Sequence, residues 1–292
     1  MNKNFNLPSD MEFIRILWCD NANVIRAKSL HKNSYKNFDY YVGISEAQQA
    51  ISTTGTVVKE SGLSPVGEVQ LVGDPTSFTP LPYSPGHGRM MGDMMKDGEA
   101  WEYCPRGFLK DVVEDASRMG FSVKAAFENE FYLLGKDEKD ILSSENILFS
   151  PSENTPFAST YAMDINCEII HNMVEALIKQ GLEVQQYYPE SGPGQQEITI
   201  KYTDALKTCD NQIAFRETVK AIAVKHGFLA SFLPKIFPDK TRSGCHLHLS
   251  LWKDGENILT DYQEEYGISK MGEHFISGIL HHLPALMAVT TP

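Results

Sequence analysis

Three short segments of the sequence place groups that can bind metal ions or phosphates on predicted strand faces: AAFENEFYLL (125–134), YYPESGPGQQEITI (187–200) and SGCHLHLSL (243–251). In the first segment Glu128 and Glu130 are two residues apart, so both side chains leave the strand on the same face. Neighbouring carboxylates repel each other, which makes their joint ionisation costly. A divalent cation removes this conflict, and together with the ligand-type residues of the other two segments the pair suggests a metal-dependent enzyme rather than a binding module.

The second and third segments supply further side chains of the same ligand chemistry. Glu190 and Glu197 flank the loop SGPGQQ, which its glycines and proline make tight. His246 and His248 share one face of a predicted strand, where two imidazoles can converge on one point. Each motif also has an ordinary interpretation, as a solvated strand face, a simple turn or a structural histidine. We favour a metal site because the motifs occur together and the first one has apolar flanks.

The ligand set also indicates which ion and which chemistry to expect. Carboxylates with few histidines favour Mg²⁺ or Mn²⁺ over zinc. Such ions typically bridge phosphate oxygens of a nucleotide, so phosphoryl transfer is the expected reaction class. The net charge of −12 argues against a nucleic-acid partner. The negative net charge does not exclude a small anionic substrate, because a metal ion or a local arginine can bind one.

Cysteine usage and hydropathy predict a cytoplasmic protein without a membrane partner. The chain has five scattered cysteines and no CxxC pair, which favours free thiols in a reducing compartment: Cys19, Cys104, Cys167, Cys209 and Cys245. The amino-terminal segment MNKNFNLPSD has no apolar region of the kind found in secretory signals. No run of about 18 uncharged apolar residues is present, so we expect no transmembrane helix.

The periodicity of the sequence predicts the elements that must position these groups. Strands are expected within 11–30, at 67–74, at 121–134 and at 244–252, and helices at 105–120, 159–180, 203–226 and 268–288, with Thr203 as a helix cap. A Lys253-Asp254-Gly255 turn suits a hairpin. The Pro- and Gly-rich segment 75–98 is predicted to be a loop, and a domain boundary is expected near residue 100. The strands alternate apolar and polar residues, which favours an antiparallel sheet with helices on one side.

Taken together, the motifs resemble those of the glutamine synthetase family. The resemblance extends over most of the chain and includes four motifs in the family's order: PRGFL (105–109), FENEFYLL (127–134), ESGPGQQEI (190–198) and SGCHLHLSLW (243–252). It implies an α+β fold with a small β-grasp-like domain over 1–100. Over 101–292 it implies an incomplete catalytic domain, in which a curved antiparallel sheet is backed by helices. It also implies a homo-oligomeric ring with active sites between neighbouring subunits.

The resemblance also implies a role for individual residues. Glu130, Glu190 and Glu197 would bind one Mg²⁺ or Mn²⁺ ion, and Glu128 with His246 would bind a second. At the substrate and cofactor positions, the resemblance matches His248 and Gly244 to residues that contact the amino acid. It matches Ser250 and Tyr202 to residues that contact ATP. Strand parity counted from Glu197 places Tyr202 on the opposite face. No residue is assigned as a catalytic acid or base.

The implied reaction has two steps. ATP phosphorylates the γ-carboxylate of glutamate to give γ-glutamyl phosphate, and ammonia then displaces phosphate to give glutamine. Val42 stands near the expected place of the family's ammonium-binding acid, and loss of that acid favours a larger amine, as in relatives that make γ-glutamylamines or γ-glutamylmethylamide. Arg242 stands in a loop that is usually Gly-rich, where it would alter how the amino acid is held. The sequence is also compatible with a non-catalytic family member that binds metal or nucleotide, and with an unrelated metal-dependent phosphoryl-transfer enzyme.

The last residues generate a testable expectation. The sequence ends at AVTTP, where the family continues into an arginine-rich segment with one more carboxylate ligand. We therefore expect residues 1–292 alone to have little or no ligase activity, because the positive groups for the phosphates are missing. The measurement is ATP-dependent formation of γ-glutamyl hydroxamate. Rates near those of full-length family members would contradict the expectation.

Overall fold

The computed structural model describes residues 8–34, 40–136 and 149–290, which form two β-sheets and four α-helices. The first seven residues, part of the segment used for the secretory-signal prediction, lie outside this description. The strands are β1 Phe13–Cys19, β2 Ile25–His31, β3 Tyr41–Ser45, β4 Glu68–Gly73, β5 Thr79–Pro80, β6 His87–Lys96, β7 Glu99–Ala100, β8 Ser122–Lys136, β9 Phe149–Pro151, β10 Val184–Pro189, β11 Gln195–Ile200, β12 Thr203–Asp204, β13 Leu229–Ser231, β14 Cys245–Lys253 and β15 Glu256–Asn257. The helices are α1 Pro105–Arg118, α2 Thr160–Lys179, α3 Ala205–Lys225 and α4 Lys270–Thr290. The α+β class is therefore confirmed.

The amino-terminal sheet has the order β2-β1-β6-β4-β3, with β5 and β7 also paired to β6. The prediction of strands within 11–30 is confirmed, because β1 and β2 form an antiparallel hairpin. The predicted loop over 75–98 is wrong, because its second half is the central strand β6. Met90, Met91 and Met94 are all buried there. A strand covered on both faces shows no polar alternation, so its pattern was not recognised.

The helices follow the predicted ranges, with one correction at a cap. The hydroxyl of Ser159 caps α2 by accepting from the Ala162 N–H. Thr203, predicted to cap α3, instead lies in β12 and pairs with Ala125 of β8. Asp204 is the residue that precedes the helix. Within the described part of the chain, no helix combines the length and apolar character needed to cross a membrane.

The second sheet is antiparallel and is built around β8, in the order β10-β11-β8-β14-β15, with β9, β12 and β13 also paired to β8. Helices α2 and α3 cover one of its faces. Phe131 and Ile198 are fully buried in one core cluster with Met173 of α2 and Phe215 of α3. The predicted antiparallel sheet with helices on one side is therefore confirmed. The alternate side chains of β8 and β11 point away from these helices.

Arg106, the second residue of α1, links the two sheets through three carboxylates. Its guanidinium donates to Asp74 and Asp93 of the amino-terminal sheet region at 2.7 Å each, and to Asp210 of α3 at 3.0 Å. Burial opposes the charge of Arg106, but the hydrogen bonds and charges of Asp210, Asp93 and Asp74 raise its pKa. Lys110 adds a further ion pair to Asp93. This network fixes the amino-terminal sheet against α3.

The apolar side of α1 contributes less to this contact than the sequence suggested. The predicted stripe includes Phe108, Val112 and Met119, and these side chains are exposed. No residue of α1 is buried. Leu109, Val113 and Ala116, the other members of the stripe, are partly buried, so the ion pairs of the helix add to a limited apolar contact.

The substitution Asp74→Asn tests the Arg106 network. Burial raises the pKa of Asp74, but hydrogen bonds from Thr76 and Arg106 outweigh it and lower the pKa below 3.8. A lowered native pKa stabilises the fold above the unfolded value, and this contribution is lost as pH falls through the native pKa. We expect the variant to lose about 1–3 kcal/mol of unfolding free energy at pH 7. The loss should shrink toward zero as the pH falls below 3.8.

Urea unfolding between neutral and acidic pH measures this effect. Glu114→Gln is the matched control, because it breaks an exposed pair with Arg118 on the same helix. An exposed pair should change the unfolding free energy by less than about 0.5 kcal/mol. A loss in Asp74→Asn that does not depend on pH would count against the network.

Candidate functional site

The strand register brings the predicted ligand residues to one face of the second sheet. Glu197 of β11 lies opposite Glu130 of β8. His246 of β14 lies opposite Glu128 on the other side of β8. Because side chains alternate along each strand, these groups project away from α2 and α3. The face opposite the helices is therefore the candidate site.

Glu130, Glu190 and Glu197 form a cluster of carboxylates. One oxygen atom from each lies within 4.8 Å of the other two. Glu197 is only 3% exposed, whereas the other two are partly exposed. Three carboxylate oxygens at this spacing fit a hard divalent cation such as Mg²⁺ or Mn²⁺. We call this group the carboxylate cluster.

The electrostatics of the carboxylate cluster also favour a cation. Burial raises the pKa of Glu197, and the charges of Glu128, Glu130 and Glu190 raise it further. Tyr188, which lies opposite Glu197 on β10, partly offsets this with a hydrogen bond. Burial and the contact with Glu197 raise the pKa of Tyr188, so its phenol remains a neutral donor. Tyr188 was not identified from the sequence, since its role depends on the β10–β11 register.

Glu128 lies outside the carboxylate cluster and pairs with both histidines. Its oxygens lie 3.0 Å from His246 Nδ1 and 3.0 Å from His248 Nε2. The hydrogen bond from His246 lowers the pKa of Glu128, with His248 acting in the same direction, and the same bond raises the pKa of His246. The sequence paired Glu128 with His246 and placed His248 near the substrate. The structure places both imidazoles at the same carboxylate.

Asn129 lies between Glu128 and Glu130 in β8, and its side chain points to the opposite face of the strand. Its side chain is 2% exposed. Its amide forms two reciprocal hydrogen bonds with Gln212 of α3, at 2.9 and 2.5 Å. This partly buried amide pair fixes the strand on the helix, so Glu128 and Glu130 are both held in position. An asparagine on the apolar side of the strand was the available sequence signal.

Gly244, predicted to bind substrate, lies directly beside the carboxylate cluster. Its N–H donates to Glu130 Oε2 at 2.9 Å. A Cβ at this position would lie 2.7 Å from Glu130 Oε1. Glycine therefore allows the backbone to approach this carboxylate without displacing it.

The residues predicted for the nucleotide form a separate aromatic group on the same face. Tyr202 and Trp252 are stacked with ring centroids 6.1 Å apart, and Lys124 Nζ lies 4.0 Å from the Trp252 centroid. Trp252 Nε1 donates to Ser250 Oγ at 2.8 Å. The alternation of side chains along β11 does not determine the face on which Tyr202 lies, because β11 ends at Ile200 and the chain then continues into β12. Trp252 and Lys124 were missed, although Lys124 lies opposite Ser250 in the register.

Comparison with known proteins agrees with these motifs. Residues 102–292 match the family model described as "Glutamine synthetase, catalytic domain". The chain belongs to the glutamine synthetase family. It is 34% identical to type-1 glutamine synthetase 1 of Dictyostelium discoideum over 303 residues, which covers 97% of this chain and 60% of the relative. It is 39% identical to the glutamine synthetase of Thermus thermophilus over 197 residues, covering 67% of this chain and 43% of the relative.

Solved structures show the same fold. A GmaS–ADP complex has a TM-score of 0.84 at 27% identity, covering 97% of this chain and 63% of the other. A glutamine synthase homologue has a TM-score of 0.86 at 28% identity, covering 98% of this chain and 66% of the other. The chain thus spans about 60% of the length of the Dictyostelium relative and about two thirds or less of these structures.

Glu197→Gln tests the electrostatics of the carboxylate cluster. The variant removes one of the repelling charges, so we expect its melting temperature in EDTA to rise by a few degrees. We expect its affinity for Mn²⁺ to fall at least about tenfold, because a ligand oxygen loses its charge. Thermal unfolding with EDTA or Mn²⁺, and titration calorimetry, measure the two effects.

Glu168→Gln is the control, because it removes an exposed carboxylate from α2. It should change neither quantity. A Glu197→Gln protein that melts earlier in EDTA and is still stabilised by Mn²⁺ would contradict the assignment.

Proposed function

We propose that this chain forms the metal- and nucleotide-binding part of an ATP-dependent ligase. The ligase would join the γ-carboxylate of glutamate to ammonia through γ-glutamyl phosphate, giving glutamine. The observation that carries the proposal is the carboxylate cluster beside the Glu128–histidine pairs on one sheet face. Family membership supports it, since the relatives named above are glutamine synthetases.

The metal assignments follow the donor chemistry. Glu130, Glu190 and Glu197 would hold one Mg²⁺ or Mn²⁺ ion, and Glu128 with His246 would hold the second. When bound, these ions offset negative charge on the phosphoryl group during its transfer to glutamate. The histidines must be neutral to bind a metal, so ion binding would release any proton held between His246 and Glu128.

The stacked aromatic group would bind the base of ATP. Tyr202 and Trp252 offer aromatic faces, and the Ser250 hydroxyl lies between Trp252 and His248 along β14. From Ser250 to His246 the strand advances four residues, or about 13 Å at a rise of about 3.3 Å per residue. The base and the transferred phosphate would therefore lie toward opposite ends of the same strand face.

The loop before β14 would receive the amino-acid substrate. Gly244 lies against the carboxylate cluster, and His248 is oriented by Glu128. Arg242, which is exposed in this loop, adds a positive charge near the site. These residues would position the γ-carboxylate of glutamate for attack on ATP.

One observation favours a larger amine as the acceptor. Val42 packs against the core of the amino-terminal sheet, near the expected place of the family's ammonium-binding acid. An apolar residue there would not select ammonium by charge. We propose γ-glutamyl transfer to a larger amine as the second candidate. In both cases we propose a cytoplasmic homo-oligomeric ring as the working form, without a nucleic-acid or membrane partner.

The reaction is tested with the full-length gene product. ADP release is measured with ATP, Mg²⁺ and glutamate, with ammonia, methylamine, ethanolamine or putrescine as the acceptor. Release that requires both glutamate and one amine supports the proposal and identifies the acceptor. ATP hydrolysis that is independent of glutamate would contradict it.

Trp252→Ala tests the base-binding group in this chain. Loss of one aromatic stacking partner costs about 1–3 kcal/mol, so we expect ADP to bind roughly tenfold more weakly in the presence of Mn²⁺. Fluorescence anisotropy of a labelled ADP measures the affinity. Tyr262→Ala, which removes a fully exposed aromatic ring elsewhere, should have no effect. Equal ADP affinity in the Trp252 variant and the wild type would exclude the assignment.

A further inference from the structure

Gln195, the first residue of β11, contacts the carboxylate cluster and two loops at once. Its side chain is fully buried. Its Nε2 donates to Glu130 Oε2 at 2.7 Å and to the Arg242 carbonyl at 3.1 Å, and lies 3.4 Å from Ser243 Oγ. Its Oε1 accepts from the Gly192 N–H at 2.9 Å. One amide group therefore joins the loop 190–194, the loop 241–244 and a predicted metal ligand.

These contacts occupy one oxygen of Glu130 and not the other. Oε2 accepts from both Gln195 Nε2 and the Gly244 N–H. With Oε2 committed to these two donors, Oε1 is the oxygen that can face a cation with Glu190 and Glu197. The orientation of this carboxylate thus depends on neutral donors, which add no charge to the carboxylate cluster.

We infer that Gln195 is a positioning residue that orients Glu130 for the cation and couples cation binding to the loop 241–244. The inference rests on the metal site of the proposed function. A glutamine suits this role because it donates to a carboxylate and accepts from an N–H with the same amide. A cation held by Glu130 would fix the carboxylate, and its Oε2 would then hold the Gln195 amide and the Gly244 N–H in place. Cation binding therefore orders the loop predicted to receive the amino acid, and by linkage an ordered loop strengthens cation binding.

Beside Gln195, the side chain of Tyr132 on β8 also contacts both loops. The Tyr132 hydroxyl donates to the Thr241 carbonyl at 2.8 Å. A Cβ at Gly192 would lie 1.9 Å from that hydroxyl and 2.7 Å from Gln195 Oε1. The loop 190–194 therefore packs directly on the groups that hold the loop 241–244. Coupling between them needs no distant conformational change.

Gln195→Met tests the inference, because methionine has nearly the same size and neither donates nor accepts strongly. Gln180→Met is the matched control. Gln180 is also a buried glutamine that belongs to neither loop: its amide donates to the Ala176 carbonyl and the Thr218 hydroxyl and accepts from Arg89 Nε. Mn²⁺ affinity is measured by electron paramagnetic resonance of free Mn²⁺, and loop order by amide hydrogen exchange with and without Mn²⁺.

We expect Gln195→Met to bind Mn²⁺ about 10–100-fold more weakly, the usual loss for a partner that orients a metal ligand. Mn²⁺ should slow amide exchange at 241–244 in the wild type and in Gln180→Met, but not in Gln195→Met. Wild-type affinity in Gln195→Met, or equal losses in both variants, would overturn the inference.

The wild type alone also tests the inference, should Gln195→Met fail to fold. Mn²⁺ that slows exchange at 190–194 but not at 241–244 would overturn the coupling while leaving the metal site intact. Absence of Mn²⁺ binding to the wild type would instead remove the metal site of the proposed function, and the inference with it. The two failures are therefore distinguishable.

Discussion

The alternation of side chains along β8 is the constraint on which the rest of the second sheet depends. Within the described residues, β9, β11, β12, β13 and β14 all pair with this strand. Its apolar side chains meet α2 and α3, and its carboxylates point the other way. A slip of one residue would exchange the two faces and bury charge in the core. The amide pair of Asn129 and Gln212 opposes such a slip, because a one-residue shift of β8 would move Asn129 to the opposite face of the sheet.

Negative charge on the site face is handled in two ways. At Glu128 it is balanced by two imidazoles, which can carry positive charge themselves. In the carboxylate cluster the hydrogen-bond donors among the described residues include the neutral Tyr188 phenol, the Gln195 amide and the Gly244 N–H. The first arrangement lowers the pKa of Glu128, whereas the second leaves Glu197 with a raised pKa. The two halves of the site therefore differ in how strongly they favour a cation.

The sequence predicted those parts of the structure that depend on local periodicity. The helices α1 to α4, the long strand β8 and the strand β14 all have clear repeats, and so their ranges were nearly right. Glu130, Glu190 and Glu197, which the family resemblance assigns to one ion, also lie together in the structure. Strand β6 was missed, because burial on both faces removes the alternation that marks a strand.

Contacts between distant segments could not be predicted in this way. Arg106 was recognised only as part of a family motif, and its partner Asp210 is 104 residues away in the sequence. The roles of Tyr188 and Trp252 depend on strand register, and the position of Tyr202 depends on where β11 ends. Such features are set by tertiary structure and leave little trace in composition or spacing.

The close approach of Gly192 to Tyr132 has an evolutionary consequence. Any side chain at 192 would collide with the Tyr132 hydroxyl, which holds the Thr241 carbonyl. A larger residue at 192 can be accepted only after the side chain at 132 has become smaller than a phenyl ring, because the added Cβ would also lie 2.6 Å from Tyr132 Cζ. The two positions should therefore change together among homologues, and the order of the two substitutions is constrained. In descendants of this sequence, replacement of Tyr132 would have to come first.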